Sequence, residues 1–218
     1  MDRQARLQAV AALDEPTRRR LYEYVAARAE PVGRDEAAAA LSLPRTTAAF
    51  HLDKLAAEGL LDVALERRSG RTGPGAGRPA KLYRRSEQDI EVTLPERQYA
   101  VAGRLLAGAV EDAEADGSSP REALERRARE YGRSLAQTPA GGSPVLRVLE
   151  EHGFEPRREG ETVALGNCPF RVLAKDHPGL VCTMTLRLVE GLLDSDPGFE
   201  ARLQPTPGHC CVRLHPTL

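Results

Sequence analysis

Four cysteines stand in this 218-residue chain, at Cys168, Cys182, Cys210 and Cys211. All lie in the last quarter, and thiolates are both nucleophiles and ligands for soft metals. Thirteen residues separate the first two, and twenty-seven separate Cys182 from Cys210. This spacing is too wide for a zinc ribbon or knuckle, which brings its ligands in close CxxC pairs, and it does not match the bacterial ferredoxin run. Any shared site has to be assembled by the fold. Nucleophilic catalysis would need a histidine oriented by an acid beside a cysteine. No such constellation is readable, so no enzyme is expected.

The elements that must position these thiols read as an α+β domain from 143 to 218. "ETVALGNCPF" predicts a strand ending in a turn, with Cys168 at the corner. "LVCTMTLRLVEGLLDSD" predicts a helix on which Cys182 shares the apolar face of Leu186, Val189 and Leu193. "FEARLQ" and "CCVRLH" predict two further strands. If residues 210–214 are a strand, Cys210, Val212 and Leu214 share the inward face, and His209, Cys211 and Arg213 the outward one. That alternation makes Cys210 the expected partner of Cys182. Cys210 against Cys211 as ligand stays open, because the turn "PTPG" just upstream can end in a bulge. The other reading of all four is small core hydrophobes.

Upstream, residues 87–142 predict long helices. "LPERQYAVAGRLLAGAVEDAEAD" carries Tyr99, Ala102, Leu105, Leu106 and Val110 at helical spacing, a candidate pairing face for a second copy. "PREALERRAREYGRSLAQ" is a second helix, and "VLRVLEEHGF" a third beyond "TPAGGSP".

Residues 1–86 are the basic part of the chain. They hold 16 Lys and Arg against 11 Asp and Glu, a balance of +5, while the remainder holds 15 against 21, a balance of −6. A basic front suits a polyanion. Pro16 starts a helix bearing Leu21, Tyr24, Val25 and Arg28, and "GRDEAAAALSL" predicts a second. "RTTAAFHLDKLAAEGLL" predicts a third, with Ala48, Leu52 and Leu55 as its apolar stripe and Gly59 as its terminator. Leu61, Val63 and Leu65 then alternate as a strand, and "AKLYR" returns as another.

Between the strands, Arg67, Arg68, Arg71, Arg78, Lys81, Arg84 and Arg85 face one acid, Glu66. "GPGAG" here is no phosphate loop, since no Lys-Ser/Thr follows and a strand, not a helix, comes next. Three helices and a basic hairpin describe a winged helix-turn-helix, whose third helix enters the major groove while the wing reaches phosphates.

Through "LDEPTRRRLYEYV", "LSLPRTTAAFHLDKLAAEGLL" and "GRPAKLY" the chain resembles the arsenic-repressor-like winged-helix regulators. By position that resemblance makes Arg45, Thr46, Thr47, Ala49, Phe50, His51 and Lys54 the groove-facing set, with Arg67, Arg68, Arg71, Arg78 and Lys81 on the wing. Pro44 stands where such proteins often have a serine cap.

Through "GNCPF", "HPGLVC" and "GHCCVRL" behind a winged helix, the chain further resembles the SufR-type repressors of iron-sulfur cluster assembly. The resemblance implies a 4Fe-4S cluster held by Cys168, Cys182, Cys210 and Cys211, with zinc as the alternative. The gap from Cys168 to Cys182 is one residue longer than expected, and Ser195-Asp196 stands where some members carry a further cysteine. The fourth ligand is therefore open among Asp196, His177, His209, Cys211 and an external thiol.

The expectation is a homodimeric repressor of a palindromic duplex DNA operator that senses iron-sulfur or redox status. A regulator with a structural zinc site or a small organic ligand in its distal domain is the alternative. No run is apolar and long enough to span a bilayer and no signal-peptide pattern opens the chain, which points to the cytoplasm and reduced thiols.

Overall fold

The computed structural model describes residues 1–66, 80–136 and 145–217. They form two compact units, Met1–Val92 and Thr93–Leu218.

In the first unit, helix α1 (Arg3–Ala12) precedes α2 (Pro16–Ala26), α3 (Arg34–Ala40) and α4 (Arg45–Ala57). The sequence expectation of three helices misses α1. That helix is capped by Asp2, whose carboxylate accepts from the Ala5 amide at 2.8 Å. Glu15 caps α2, accepting from the Thr17 and Arg18 amides, and Pro16 takes the first helical position, where its missing N–H leaves nothing unpaired.

Between α3 and α4 the chain turns through Ser42 at φ +54°. Pro44 then supplies a carbonyl to the Ala48 amide at 3.0 Å but no side-chain cap, so α4 starts at Arg45 without the bond a serine would give. The inward stripe is the expected one. Ala48, Leu52 and Leu55 are fully buried, against Leu21, Val25 and Ala37.

Gly59 at φ +76° ends α4 and turns the chain into β2 (Leu61–Glu66). β2 pairs antiparallel with β3 (Ala80–Arg85), Leu61 opposite Arg85 and Glu66 opposite Ala80. A short β1 (Val32–Gly33) adds to the far side of β3, giving the order β1-β3-β2. Leu61, Val63 and Leu65 do share a face, yet only Leu61 is buried. Val63 and Leu65 lie exposed where the hairpin runs out past the helices.

The second unit contains α5 (Tyr99–Asp116), α6 (Pro120–Ala136), α7 (Val145–Glu151), α8 (Arg171–Asp176) and α9 (Pro178–Leu193). Its sheet is antiparallel, with β4 (Pro156–Glu159), β5 (Thr162–Leu165), β6 (Phe199–Leu203) and β7 (Val212–Pro216) in the order β4-β5-β7-β6. The helices read as 87–142 share one core with the elements read as 143–218: Ala102, Leu105, Leu124 and Ala128 join Val163, Leu188, Val189 and Leu214. The boundary at 142–143 itself lies outside the described residues.

Part of the stripe proposed to pair α5 with a second copy, Ala102 and Leu105, is buried in this core, whereas Val110 stays exposed. α6 and α9 approach so closely that two glycines are required. A Cβ on Gly132 would stand 2.0 Å from the Leu188 carbonyl oxygen, and one on Gly191 would stand 2.0 Å from that of Arg129.

Candidate nucleic-acid interface and thiol cluster

The outer face of α4 follows from its inner one. With Ala48, Leu52 and Leu55 inward, a 3.6-residue period turns Thr46, Phe50 and Lys54 outward, and all three are exposed; Arg45 lies above the inward stripe but is exposed as the first residue of the helix. Thr47 and Ala49 are half-buried at its margins. Phe50 is 65% exposed, a large apolar side chain with no core to fill. Arg45 is ion-paired with Asp35, and Lys54 lies 2.5 Å from Glu58. The first of these pairs is exposed on both sides and weak enough to exchange for a phosphate.

His51 is placed differently from its neighbours. Its side chain is only 13% exposed, and Nδ1 stands 3.6 Å from Oε2 of Glu15, the residue that caps α2. Its ring meets Phe50 edge-on at 5.2 Å. The geometry ties His51 to α2 and turns it away from the exposed face.

Of the wing residues, Arg67, Arg68, Arg71 and Arg78 lie outside the described residues. Lys81 on β3 is described, and its Nζ is 2.7 Å from Oδ1 of Asp53. The same oxygen accepts from the Tyr83 hydroxyl at 2.7 Å, and Oδ2 accepts from Nη2 of Arg34 at 3.3 Å. Burial works to raise the Asp53 carboxyl, but the hydrogen bonds from Lys81 and Tyr83 and the two cations hold it below the usual range. Burial, reinforced by the bond to Asp53, pushes the Tyr83 phenol up to about 12. Neither Asp53, Arg34 nor Tyr83 is suggested by the sequence, because their partners lie 19 to 49 residues apart.

In the second unit all four cysteines are free and converge. Cys168 sits in the turn between β5 and α8, Cys182 early in α9, and Cys210 and Cys211 in the turn before β7. The Cys210 amide donates to the Leu165 carbonyl at 2.8 Å, which draws this turn against the end of β5. Their thiols are near enough to act on one another's ionisation in the order Cys168, Cys210, Cys211, Cys182.

Here the strand alternation expected from "CCVRLH" fails. β7 begins only at Val212, so Cys210 and Cys211 precede the pleat, and both are buried, at 2% and 9% exposure. Cys211 is therefore not on a polar face. Cys182 is the half-exposed member.

The four thiols differ in acidity. Hydrogen bonding from Cys210 lowers Cys168 despite burial, helped by the Phe170 amide and the charge of Arg97. Cys211 is held at about 7, chiefly by the bond from Cys210 and also by that from Cys182. Cys182 rises to about 12 through burial and its bond to Cys211, and Cys210 rises well above the usual thiol value as donor to Cys168 and Cys211.

Arg97, 71 residues from Cys168 in sequence, donates to its carbonyl at 2.8 Å and to Oδ1 of buried Asn167 at 2.6 Å. No sequence signal marks Arg97. Nor does any mark Asn167, which stands next to Cys168 in the chain.

The donor set is all sulfur, which suits thiophilic metals and not hard cations. His177 and His209 are not among the groups acting on these thiols. Among the described residues no group of three or more His, Cys, Asp or Glu is arranged to hold a metal ion.

The family described as a helix-turn-helix domain matches residues 13–64. No curated protein and no solved structure shows a significant match to the chain. Among the described residues no helix is long and apolar enough to cross a membrane.

Proposed function

We propose that this chain is a transcriptional repressor that binds a two-fold operator as a homodimer, with its DNA affinity set by an iron-sulfur cluster on the distal thiols. The premise is firm at one end: the first unit is a winged helix-turn-helix domain, and the match over residues 13–64 supports DNA binding at the family level and a regulatory rather than an enzymatic protein. The finer reading is carried by the convergence of four cysteine side chains from three separate segments into one sulfur cluster.

Four free thiols, three of them buried, gather where aliphatic side chains would fill the core without a titratable group. The sulfur-only donor set fits a thiolate-ligated group by its chemistry. Cys168, Cys182, Cys210 and Cys211 would hold it, and when bound it would supply sensitivity to oxidants and to iron supply. Two of the four thiols, Cys168 and Cys211, are already biased toward the thiolate that ligation requires. Arg97 places a positive charge near Cys168, which offsets the negative charge gathered when several thiolates share one site. Regulation then works by population shift, the bound group favouring one arrangement of the turns that carry its ligands.

Zinc is the second reading, because a set of four thiols without oxygen ligands is one that tetrahedral zinc also takes.

Protein purified without oxygen and assayed for iron, acid-labile sulfide, zinc and visible absorption decides between them. Iron and sulfide in equal amounts, lost in Cys168→Ser and Cys182→Ser, are expected. Stoichiometric zinc selects the second reading, and neither metal leaves the thiols as core residues.

A further inference from the structure

An acid in the middle of a DNA-facing helix is out of place, because it repels phosphates. Asp53 lies on the outer side of α4, one turn beyond Phe50, and its side chain is 41% exposed. Both carboxylate oxygens are taken. Oδ1 accepts from Lys81 Nζ and from the Tyr83 hydroxyl, each at 2.7 Å, and Oδ2 from Arg34 Nη2 at 3.3 Å. Arg34 Nε closes the network by donating to the Tyr83 oxygen at 3.1 Å. A carboxylate so engaged is not poised to accept from a cytosine amino group in the major groove.

What the network does hold is geometry. Arg34 opens α3, Asp53 belongs to α4, and Lys81 and Tyr83 belong to β3, the strand returning from the wing. Tyr83 is fully buried and fixes its hydroxyl from below, while Lys81 and Arg34 keep side-chain exposures of 40% and 29%. Lys81 commits one of three donors to the network and Arg34 two of five, and two cations around one carboxylate leave a surplus positive charge facing water.

Resting on the DNA-binding reading above, we infer that Asp53 is a positioning residue for DNA binding. It braces Lys81 and Arg34 beside α4 so that together they form a phosphate-binding pair at the foot of the wing. Asp53 touches no DNA itself. Its effect runs through the placement of the two cations and of β3.

The full chain is titrated with a fluorescent pool of about 30-base-pair duplexes of random sequence, long enough to span two half-sites, over a series of salt concentrations. Lys81→Ala and Arg34→Ala should each lower the salt slope by about 0.9, the value for one phosphate contact. Asp53→Asn removes a negative charge, and charge alone would tighten binding and steepen the slope. Loss of the brace predicts the opposite, binding weakened about tenfold with a shallower slope, corresponding to loss of one charge-assisted contact. Tyr83→Phe, which changes no charge, should weaken binding about threefold, a smaller share of the same loss.

Binding by Asp53→Asn as tight as the parent, or tighter, overturns the inference. If that variant does not fold, the slopes of Lys81→Ala and Arg34→Ala decide alone, and unchanged slopes overturn it. A parent chain with no affinity for the duplex pool at low salt removes the DNA-binding reading and this inference with it.

Discussion

The two units each gather four polar side chains from three segments, and the two gatherings obey opposite rules. Around Asp53, one carboxylate meets two cations and a phenol, every oxygen has a donor, and the side chains stay near water. Around Cys210, four weak donors meet one another in the core with no counter-ion in hydrogen-bonding contact. The first network is complete as it stands. The second is complete only in the limited sense that thiols tolerate apolar surroundings, and its acidities are split because each sulfur can be satisfied only at a neighbour's expense. A balanced network fixes geometry, whereas the unbalanced one is where the thiolate-ligated group proposed above would sit.

The contrast breaks most sharply where the distal unit depends on fit. Gly132→Ala puts a methyl group onto the Leu188 carbonyl, a backbone atom that cannot swing aside. It should cost about 3 kcal/mol, the upper end for overpacking, read as a lowered midpoint in urea. A loss below about 0.5 kcal/mol would mean that α6 and α9 separate freely.

Next in size are the thiols compared in pairs. Cys210→Ser buries a hydroxyl among sulfurs at a 2% exposed site and should destabilise the metal-free protein by about 2 kcal/mol. Cys182→Ser, half-exposed, should stay within about 0.5 kcal/mol. Equal losses in thermal melts would show that the cluster is uniformly buried in solution.

The smallest effect tests the balanced network. Tyr83→Phe should cost about 1 kcal/mol at neutral pH, one hydrogen-bonding group in a partly exposed network. Because folding raises the Tyr83 pKa from 10.0 to about 12, its stabilisation is fully present below pH 10.0 and lost as pH climbs toward about 12. The difference in melting temperature between parent and variant should therefore shrink across that window. A difference that stays constant to the top of it would place Tyr83 outside the network.

Much of the DNA-binding unit is legible in the sequence because its signals are local. Ala48, Leu52 and Leu55 declare the face of α4, Gly59 its end, and the arginine-rich hairpin the wing. α1 is missed because "RQARLQAVAA" has few large apolar residues to set a period. The element types that carry Cys168 and Cys182 are legible, whereas the terminal pair, read as strand residues, lies in the turn before β7.

The facing of Cys211 is not legible, since it hangs on whether β7 begins at residue 210 or at 212, and turn geometry upstream decides that. Arg97 and Asp53 are silent for a different reason. Their roles come from partners brought near only by the folded chain, 71 residues away for Arg97 and 28 to 30 for the Lys81 and Tyr83 that meet Asp53. A one-dimensional pattern carries no trace of such contacts.

The glycine contact between α6 and α9 has a mechanical meaning for the cysteines. α9 is held to α6 along its length, by Arg121 on the Gly179 carbonyl at one end, by Gly132 and Gly191 near the other, and by Asp194 bridging Arg129 and Arg133 beyond them. Cys182 rides on this clamped rod, while the other three thiols ride on turns. Of the four thiols, therefore, Cys182 alone takes its position from the α6–α9 contact, whereas Cys168, Cys210 and Cys211 take theirs from the turns that lead into α8 and β7.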